Sequence, residues 1–484
     1  MGKIFDIKIT DFSGGLSEDK RSQNASKFSI TKHFDVFTYP HKIVPRNKTQ
    51  ALTGADKTLK IFRTLYAPLA ALTTYVMWGL GQTTPSGFGQ PYTYNVNTLV
   101  WDMWSGITGA VIDTRVFFYY KSFIYMFCGG SRLERLDVTA SGPTLYQSVS
   151  YTDLAKPILH PSDDCAYFFV DNKIYRINGT NWDGLVLTLP SDVKITCATP
   201  HGNYLAIGTT TLGSLANKSV VYVWDRDSSL STVSERIDFG SGVLRHLASL
   251  DGKLIGVVTD LGYNIGNVFI KQVSGSSAVI INRLIVESPL TTDFPDTRVI
   301  KDNKLYVPMK AQYNGDTRFG IWSIDGNGRT TIDTIIDGAT SYQDINLLED
   351  QWWICHSGDY SVDASVTNKT FSTTLSSVYE SLIFNGGDSG RNKKLIGITV
   401  FTEPLPAAGQ IVLKYRRNEE TAWTTIFTNT TDNSISHSAI NIEGSDPEVK
   451  FNEFKEIQFQ INSTGGAIVT GYKLRYEELD NDLY

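Results

Sequence analysis

The chain is poor in the residues that most chemistry depends on. Its four cysteines, Cys128, Cys165, Cys197 and Cys355, stand singly with no C-x-x-C. That spacing excludes a zinc knuckle or a thioredoxin-type motif and predicts buried, unpaired thiols. Seven histidines, His33, His41, His160, His201, His246, His356 and His437, never take a metal-binding spacing such as H-x-x-x-H, so most are expected at the surface or in turns. Neither G-x-G-x-x-G nor G-x-x-x-x-G-K-[ST] occurs, which removes the common nucleotide fingerprints. No apolar run reaches the roughly 18 residues of a bilayer-spanning helix. The first ten residues interleave Lys3, Asp6 and Lys8 with apolar residues, which leaves no unbroken apolar region for a secretory signal and points to synthesis in the cytoplasm.

What is present is strand-forming. Across 484 residues, 12% are aromatic and 19% charged, and apolar residues rarely fall at helical spacing, so the expected fold class is all-β. From about Thr58 to Ser376 a short signature recurs: a turn residue, often with a Lys after it, then two or three aromatic or aliphatic residues. Its copies are Val76-Met77-Trp78, Phe123-Ile124-Tyr125, Lys173-Ile174-Tyr175, Tyr204-Leu205-Ala206, Lys253-Leu254-Ile255, Lys304-Leu305-Tyr306 and Trp352-Trp353-Ile354. Between middle residues the steps are 77 to 124 (47), 124 to 174 (50), 174 to 205 (31), 205 to 254 (49), 254 to 305 (51) and 305 to 353 (48). A period of about 40 to 50 residues is what a four-stranded propeller blade occupies. The expectation is a β-propeller over residues 58–376 with six or seven blades, the 31-residue step leaving the count open.

Past Ser376 the pattern changes to clean alternation. Ile411, Leu413 and Tyr415 face one way and Val412 and Lys414 the other; Ile457, Phe459 and Ile461 alternate with Gln458, Gln460 and Asn462; Tyr472, Leu474 and Tyr476 alternate with Lys473 and Arg475. Residues 377–484 therefore read as a β-sandwich or jelly-roll-like domain, with Asn385 to Arg391 as the linker. Residues 1–57 fit neither pattern. They carry ten Lys and Arg against six Asp and Glu, a net of 10 − 6 = +4 in a chain of −6, and read as an extended polar arm packed on the propeller or on a neighbour.

Motifs with the letters of a chemical site resolve into turns. Gly387-Asp388-Ser389-Gly390 has the letters of a serine-protease nucleophile site, yet it opens a sandwich after a propeller and reads as a glycine turn. Ser323-Ile324-Asp325 begins like a sialidase Asp-box, but the following glycines, Gly326 and Gly328, are out of place. Trp101-Asp102, Trp182-Asp183 and Trp224-Asp225 lack the Gly-His partner of a WD repeat. Asp225-Arg226-Asp227 and Asp480-Asn481-Asp482 stop short of a calcium loop. Trp352-Trp353 could stack on sugars, although large residues at that point of the repeat more often fill the space between blades. No catalytic, cofactor-binding or metal-ligating residue is nominated, no cofactor is expected, and the expectation is a protein that is not an enzyme.

Three features resemble the tail and neck proteins of tailed bacteriophages, especially the nozzle or tail-hub propellers of short-tailed phages. They are the opening Ile9 to Leu16 (ITDFSGGL) with His33-Phe34-Asp35-Val36 and Tyr39 to Pro45, the irregular propeller, and the closing run Lys394 to Val400 through Tyr415-Arg416-Arg417 to Gly471-Tyr472-Lys473-Leu474-Arg475-Tyr476. The resemblance implies a structural virion protein of the tail. Its expected partners are copies of itself in a ring, often sixfold, other tail proteins, and phage DNA passing through the channel without sequence-specific binding. The alternative expectation is a glycan-binding or glycan-cleaving propeller acting in receptor recognition, motivated by the aromatic content and the sandwich.

Overall fold

The computed structural model describes residues 3–17, 19–21, 24, 26–46, 49–51, 60–68, 75–82, 90–95, 100–103, 116–128, 131–137, 143–211, 217–230, 232–260, 266–286, 297–313, 316–335, 342–348, 351–356, 359–363, 376–440 and 453–479. All regular structure among them is β-strand.

The repeat folds as four-stranded antiparallel units laid down in sequence order. The first comprises Lys60–Pro68, Tyr75–Gln82, Gln90–Asn95 and Val100–Met103; the third Leu154–His160, Cys165–Val170, Lys173–Asn178 and Asn181–Thr188. The seventh contains Tyr342–Leu348, Gln351–His356 and Asp359–Asp363, and its fourth strand, Thr49–Ala51, comes from ahead of the first unit. Neighbouring units meet in order round the ring, and Tyr342–Leu348 reaches Lys60–Pro68 to close it. The protein thus contains a seven-bladed propeller whose ends are joined by a borrowed strand, which fastens the last blade to the segment ahead of the first.

The irregular 31-residue step has a local cause. In the second, fifth and sixth blades the tight turn between the first two strands is Lys121-Ser122, Asp251-Gly252 or Asp302-Asn303, each residue at positive φ between 46° and 73°, as primed hairpin turns require. In the third blade that connection is the longer Pro161–Asp164, and Asp171-Asn172 instead joins the second and third strands, with Asp171 at φ 55°. The Lys173 copy is therefore one strand out of phase. Measured from Ala166, the second residue of Cys165–Val170, the steps become 124 to 166 (42) and 166 to 205 (39). All six residues of Cys165–Val170 are buried, because a second strand is covered on both faces by neighbouring blades and so shows an unbroken apolar run.

The sandwich is built from both ends of the chain. One sheet runs Ile4–Ile9, Val469–Glu478, Lys393–Thr402 and Ser436–Ile440, with Glu453–Phe454 also paired to Lys393–Thr402; the other runs Phe28–Lys32, Ser377–Ser381, Ile457–Thr464, Gln410–Arg417 and Thr424–Asn429. Residues 1–57 are therefore not a separate arm: they supply a strand to each sandwich sheet and the closing strand of the propeller. Phe12, Phe28, Phe34 and Val36 are fully buried in one core with Leu395, Ile411, Leu413, Ile457 and Ile461. Burial of a side chain of this size contributes about 1.5–3 kcal/mol each. Asn385–Arg391 does not link domains; it lies between Ser377–Ser381 and Lys393–Thr402, strands of the two facing sheets. The propeller is an insertion within the sandwich.

Candidate functional site

The most elaborate polar constellation among the described residues lies where the sandwich meets the sixth blade. Gly14-Gly15-Leu16 forms the near wall. The Leu16 amide donates to the Thr330 carbonyl at 3.0 Å, and the Leu16 side chain packs into the core of the fifth and sixth blades. A Cβ on Gly14 would lie 2.4 Å from Ser26 Oγ and 2.6 Å from the Ser26 carbonyl carbon, and Gly15 sits at φ 76°, so both positions require glycine. Nearby, the Thr31 and Thr331 hydroxyls meet at 3.0 Å, and Arg329 Nη1 donates to Ser13 Oγ at 3.2 Å.

Charged groups are enclosed behind this wall. Arg46 Nη2 lies 2.5 Å from Asp333 Oδ1 and 3.0 Å from Asp35 Oδ2. The second Asp333 oxygen accepts from Trp352 Nε1 at 2.9 Å and from the Thr334 hydroxyl at 3.1 Å. Asp35 Oδ1 accepts from the Phe37 and Thr38 amides at 3.1 and 3.0 Å. Lys304 Nζ donates to Thr38 Oγ1 at 3.1 Å. Burial works to raise the Asp35 carboxyl, but Arg46 beside it and the Thr38 hydrogen bonds outweigh it and hold the group low. Burial also lowers the Lys304 ammonium and raises the Tyr306 phenol. With each carboxylate oxygen engaged, this arrangement joins two units and fixes their angle; it presents no free base.

A second cationic set lines the propeller hub. Lys156, Lys194 and Arg245 lie near the starts of the inner strands of the third, fourth and fifth blades. Arg298, 7% exposed, precedes the inner strand of the sixth blade. Its Nη2 donates to the Ala198 carbonyl in the fourth blade, and Lys156 Nζ donates to the Arg298 carbonyl at 3.2 Å. The first contact skips the fifth blade and the second skips the fourth and fifth, so both cross the hub.

The sequence motifs fall as follows. Gly387-Asp388-Ser389-Gly390 is an exposed pair of turns, with Asn385 Oδ1 accepting from the Gly387 amide at 3.0 Å and Asp388 Oδ1 from the Gly390 amide at 2.8 Å; among the described residues no histidine is bonded to Ser389. Asp325 caps its own hairpin, accepting from the Asn327 and Arg329 amides at 3.0 and 2.9 Å. Trp352 and Trp353 are 2% and 7% exposed and pack edge-on against Tyr306 and Tyr94, which takes them out of reach of a sugar. Asp225-Arg226-Asp227 is a turn whose Arg226 pairs with Asp163 at 2.5 Å; residues 480–482 lie outside the described residues, as does the Cys128 side chain. Cys165, Cys197 and Cys355 are buried and form no disulfide among the described residues. Among the described residues no three His, Cys, Asp or Glu side chains gather as a metal site, and no helix is long and apolar enough to cross a membrane.

Three of the histidines differ from expectation. His160, His246 and His437 are at most 2% exposed. His160 Nε2 lies 2.9 Å from the Tyr204 carbonyl oxygen; His437 bridges Thr402 Oγ1 at 2.9 Å and Asn429 Nδ2 at 2.8 Å. They are interior hydrogen-bonding groups, not surface residues. The junction carboxylates Asp35 and Asp333 were not singled out from sequence; the available signal was a charge within an apolar stretch, as in His33-Phe34-Asp35-Val36.

Topology thus defines the class: an all-β protein with a seven-bladed propeller inserted in a two-sheet sandwich. No protein-family model and no curated protein matches the chain. Among solved structures it is similar to the computationally designed Ika8 protein, at 10% identity over 73% of this chain and 99% of that one with a TM-score of 0.41. It is also similar to the β-propeller domain of Cps50 (Swd1) of Myceliophteria thermophila, at 11% identity over 62% and 98% with a TM-score of 0.40. At such scores neither likeness carries a functional conclusion, and the fold assignment rests on the strand pairing itself.

Proposed function

We propose that the chain is a structural protein of a tailed-bacteriophage virion, of the nozzle or tail-hub type, which assembles as a ring around the channel through which DNA leaves. The observation that carries the reading is the use made of Ile9 to Leu16. The residues that bear the resemblance form the seam between sandwich and propeller, with Leu16 bonded to Thr330 and buried among the blades. A seam backed by the Arg46–Asp333 pair suits a part that must hold its shape under load. The hub supports the reading from another direction. Arg298 and Lys156 brace the propeller's own axis, which favours a reading in which DNA would pass between copies of the chain, with no base readout needed there.

Purified virions provide the test. Mass spectrometry should detect the chain in them, and antibody labelling should place it at the tail. A chain absent from virions, and monomeric at every concentration, would overturn the reading.

A further inference from the structure

The two outer edges of one sandwich sheet differ in character. At one side the sheet ends in Ile4–Ile9, paired antiparallel with Val469–Glu478 and with no other strand among the described residues. The Glu478 amide donates to the Lys3 carbonyl at 3.0 Å. Because bonded pairs alternate along an antiparallel ladder, Phe5, Ile7 and Ile9 turn their amides inward and Ile4, Asp6 and Lys8 turn theirs out. At the other side the sheet ends in Ser436–Ile440, paired with Lys393–Thr402. There the Thr402 amide donates to the Ile435 carbonyl at 3.0 Å, which leaves the outward groups to Ser436, Ser438 and Ile440. Each edge also carries a bare isoleucine, Ile4 at 51% and Ile435 at 58% exposure. Among the described residues no further strand covers either edge, and an uncovered edge is a template for another strand.

Charge distinguishes the two. Among the described residues, 418–440 hold Glu419, Glu420 and Asp432 and no Lys or Arg, with Glu420 paired to Arg417 at 3.3 Å. The opposite edge holds Lys3 and Lys8 against a single Asp6, which pairs with Lys473 and Arg475 at 3.1 and 3.7 Å; Lys8 stands across from Lys473 and Lys3 across from Glu478. The first edge is the more basic and the chain leading into the second the more acidic, so each matches the other better than itself.

Strand direction agrees. The path Ile4–Ile9, Val469–Glu478, Lys393–Thr402, Ser436–Ile440 contains four strands, each antiparallel to the next. With an even number, an identical sheet set alongside in the same orientation brings its Ile4–Ile9 antiparallel to Ser436–Ile440. We infer that the occupant of each edge is a second copy of this chain, joined head to tail: the basic Ile4–Ile9 edge of one copy adds to the Ser436–Ile440 edge of the next. Such a contact is heterologous, and repetition closes it into a ring where the rotation allows. This assignment rests on the ring reading above and supplies the contact that reading lacks.

Two proline variants of the full chain test it by native mass spectrometry and sedimentation. Asp6→Pro removes an outward amide while sparing the inward ladder, a placement an edge strand tolerates; it also deletes an acid from the basic edge, which by charge alone would favour association. Ser438→Pro blocks the other edge in the same way. Each variant alone should be monomeric, and an equimolar mixture should form a heterodimer and stop there. Lys3→Glu with Lys8→Glu, which leaves the backbone untouched, should weaken association at least tenfold, and added salt should weaken the wild-type contact. Circular dichroism and melting temperature confirm that each variant is folded. Rings formed by both proline variants would overturn the inference and leave the ring reading standing. Self-association of Ser438→Pro alone would also overturn it, pointing to an Ile4–Ile9 edge that pairs with itself. A wild-type chain that stays monomeric and is missing from virions would remove both.

Discussion

Arg46 and Asp333 meet across the boundary between sandwich and propeller, 2.5 Å apart in space and 287 residues apart in sequence. Asp333 is almost wholly enclosed, its side chain 4% exposed, while Arg46 retains 26%. Removing one partner of such a pair leaves a buried charge uncompensated, at a cost of about 3 to 5 kcal/mol. Asp333→Ala should fall near the lower figure, because Arg46 keeps some solvent and a second partner in Asp35. Urea unfolding reads the loss directly, and a change below about 1 kcal/mol would mean the pair does not hold the units together.

The glycines of the seam permit a sharper comparison. Gly14→Ala sets a Cβ against the Ser26 backbone, and Gly15→Val forces a branched residue to φ 76°. Each should lower stability by roughly 1 to 3 kcal/mol. Hydrogen exchange at the Leu16 amide, bonded to Thr330, should speed up in the two seam variants if the seam loosens.

Much of this fold was legible from local pattern. Tyr472, Leu474 and Tyr476 are buried as their alternation predicts, and the apolar signatures at Ile124, Leu205, Leu254 and Leu305 each fall in the second strand of a blade. What escaped was partnership at long range. Nothing local to Phe28–Lys32 specifies Ser377–Ser381 as its neighbour, so the first residues read as an arm. Asp171-Asn172-Lys173 imitates the turn chemistry of Asp302-Asn303-Lys304 and displaced one copy by a strand. Gln458 alternates with buried residues, yet it is only 2% exposed because its amide bonds the Ser381 carbonyl and accepts from Arg416. The junction was hidden for the same reason: Asp35 and Asp333 come together only after the ring closes.

Closure itself can be tested at Thr49–Ala51, which pairs with Asp359–Asp363 through Gln50 and Val362. Along a strand alternate amides face the partner, so of Gln50→Pro and Ala51→Pro one removes a bond of the seventh blade. That variant should open the ring at this point, with faster hydrogen exchange in Asp359–Asp363 and little change in the fourth blade. Uniform loss across all blades would show instead that the ring unfolds as one unit.

The buried histidines set the acid limit of stability. Burial lowers His160, His201 and His437 below the ordinary value of 6.5, with the Tyr204 carbonyl only partly opposing this at His160. In the unfolded chain these groups take up protons near pH 6.5, whereas the folded chain keeps them neutral to lower pH. The unfolded state therefore binds more protons in that window, and stability declines as pH falls below 6.5 toward the folded values. Asp35, held below its usual 3.8 with burial overcome by Arg46 and Thr38, adds its own loss only at lower pH, where its paired form takes a proton. Melting temperature measured from pH 7.5 to 4.5 should thus be level first and then decline. His437→Gln can retain bonds to Thr402 and Asn429 without a titrating group, so it should flatten that decline while leaving the plateau at neutral pH close to wild type. An unchanged slope in this variant would assign the acid sensitivity to other groups.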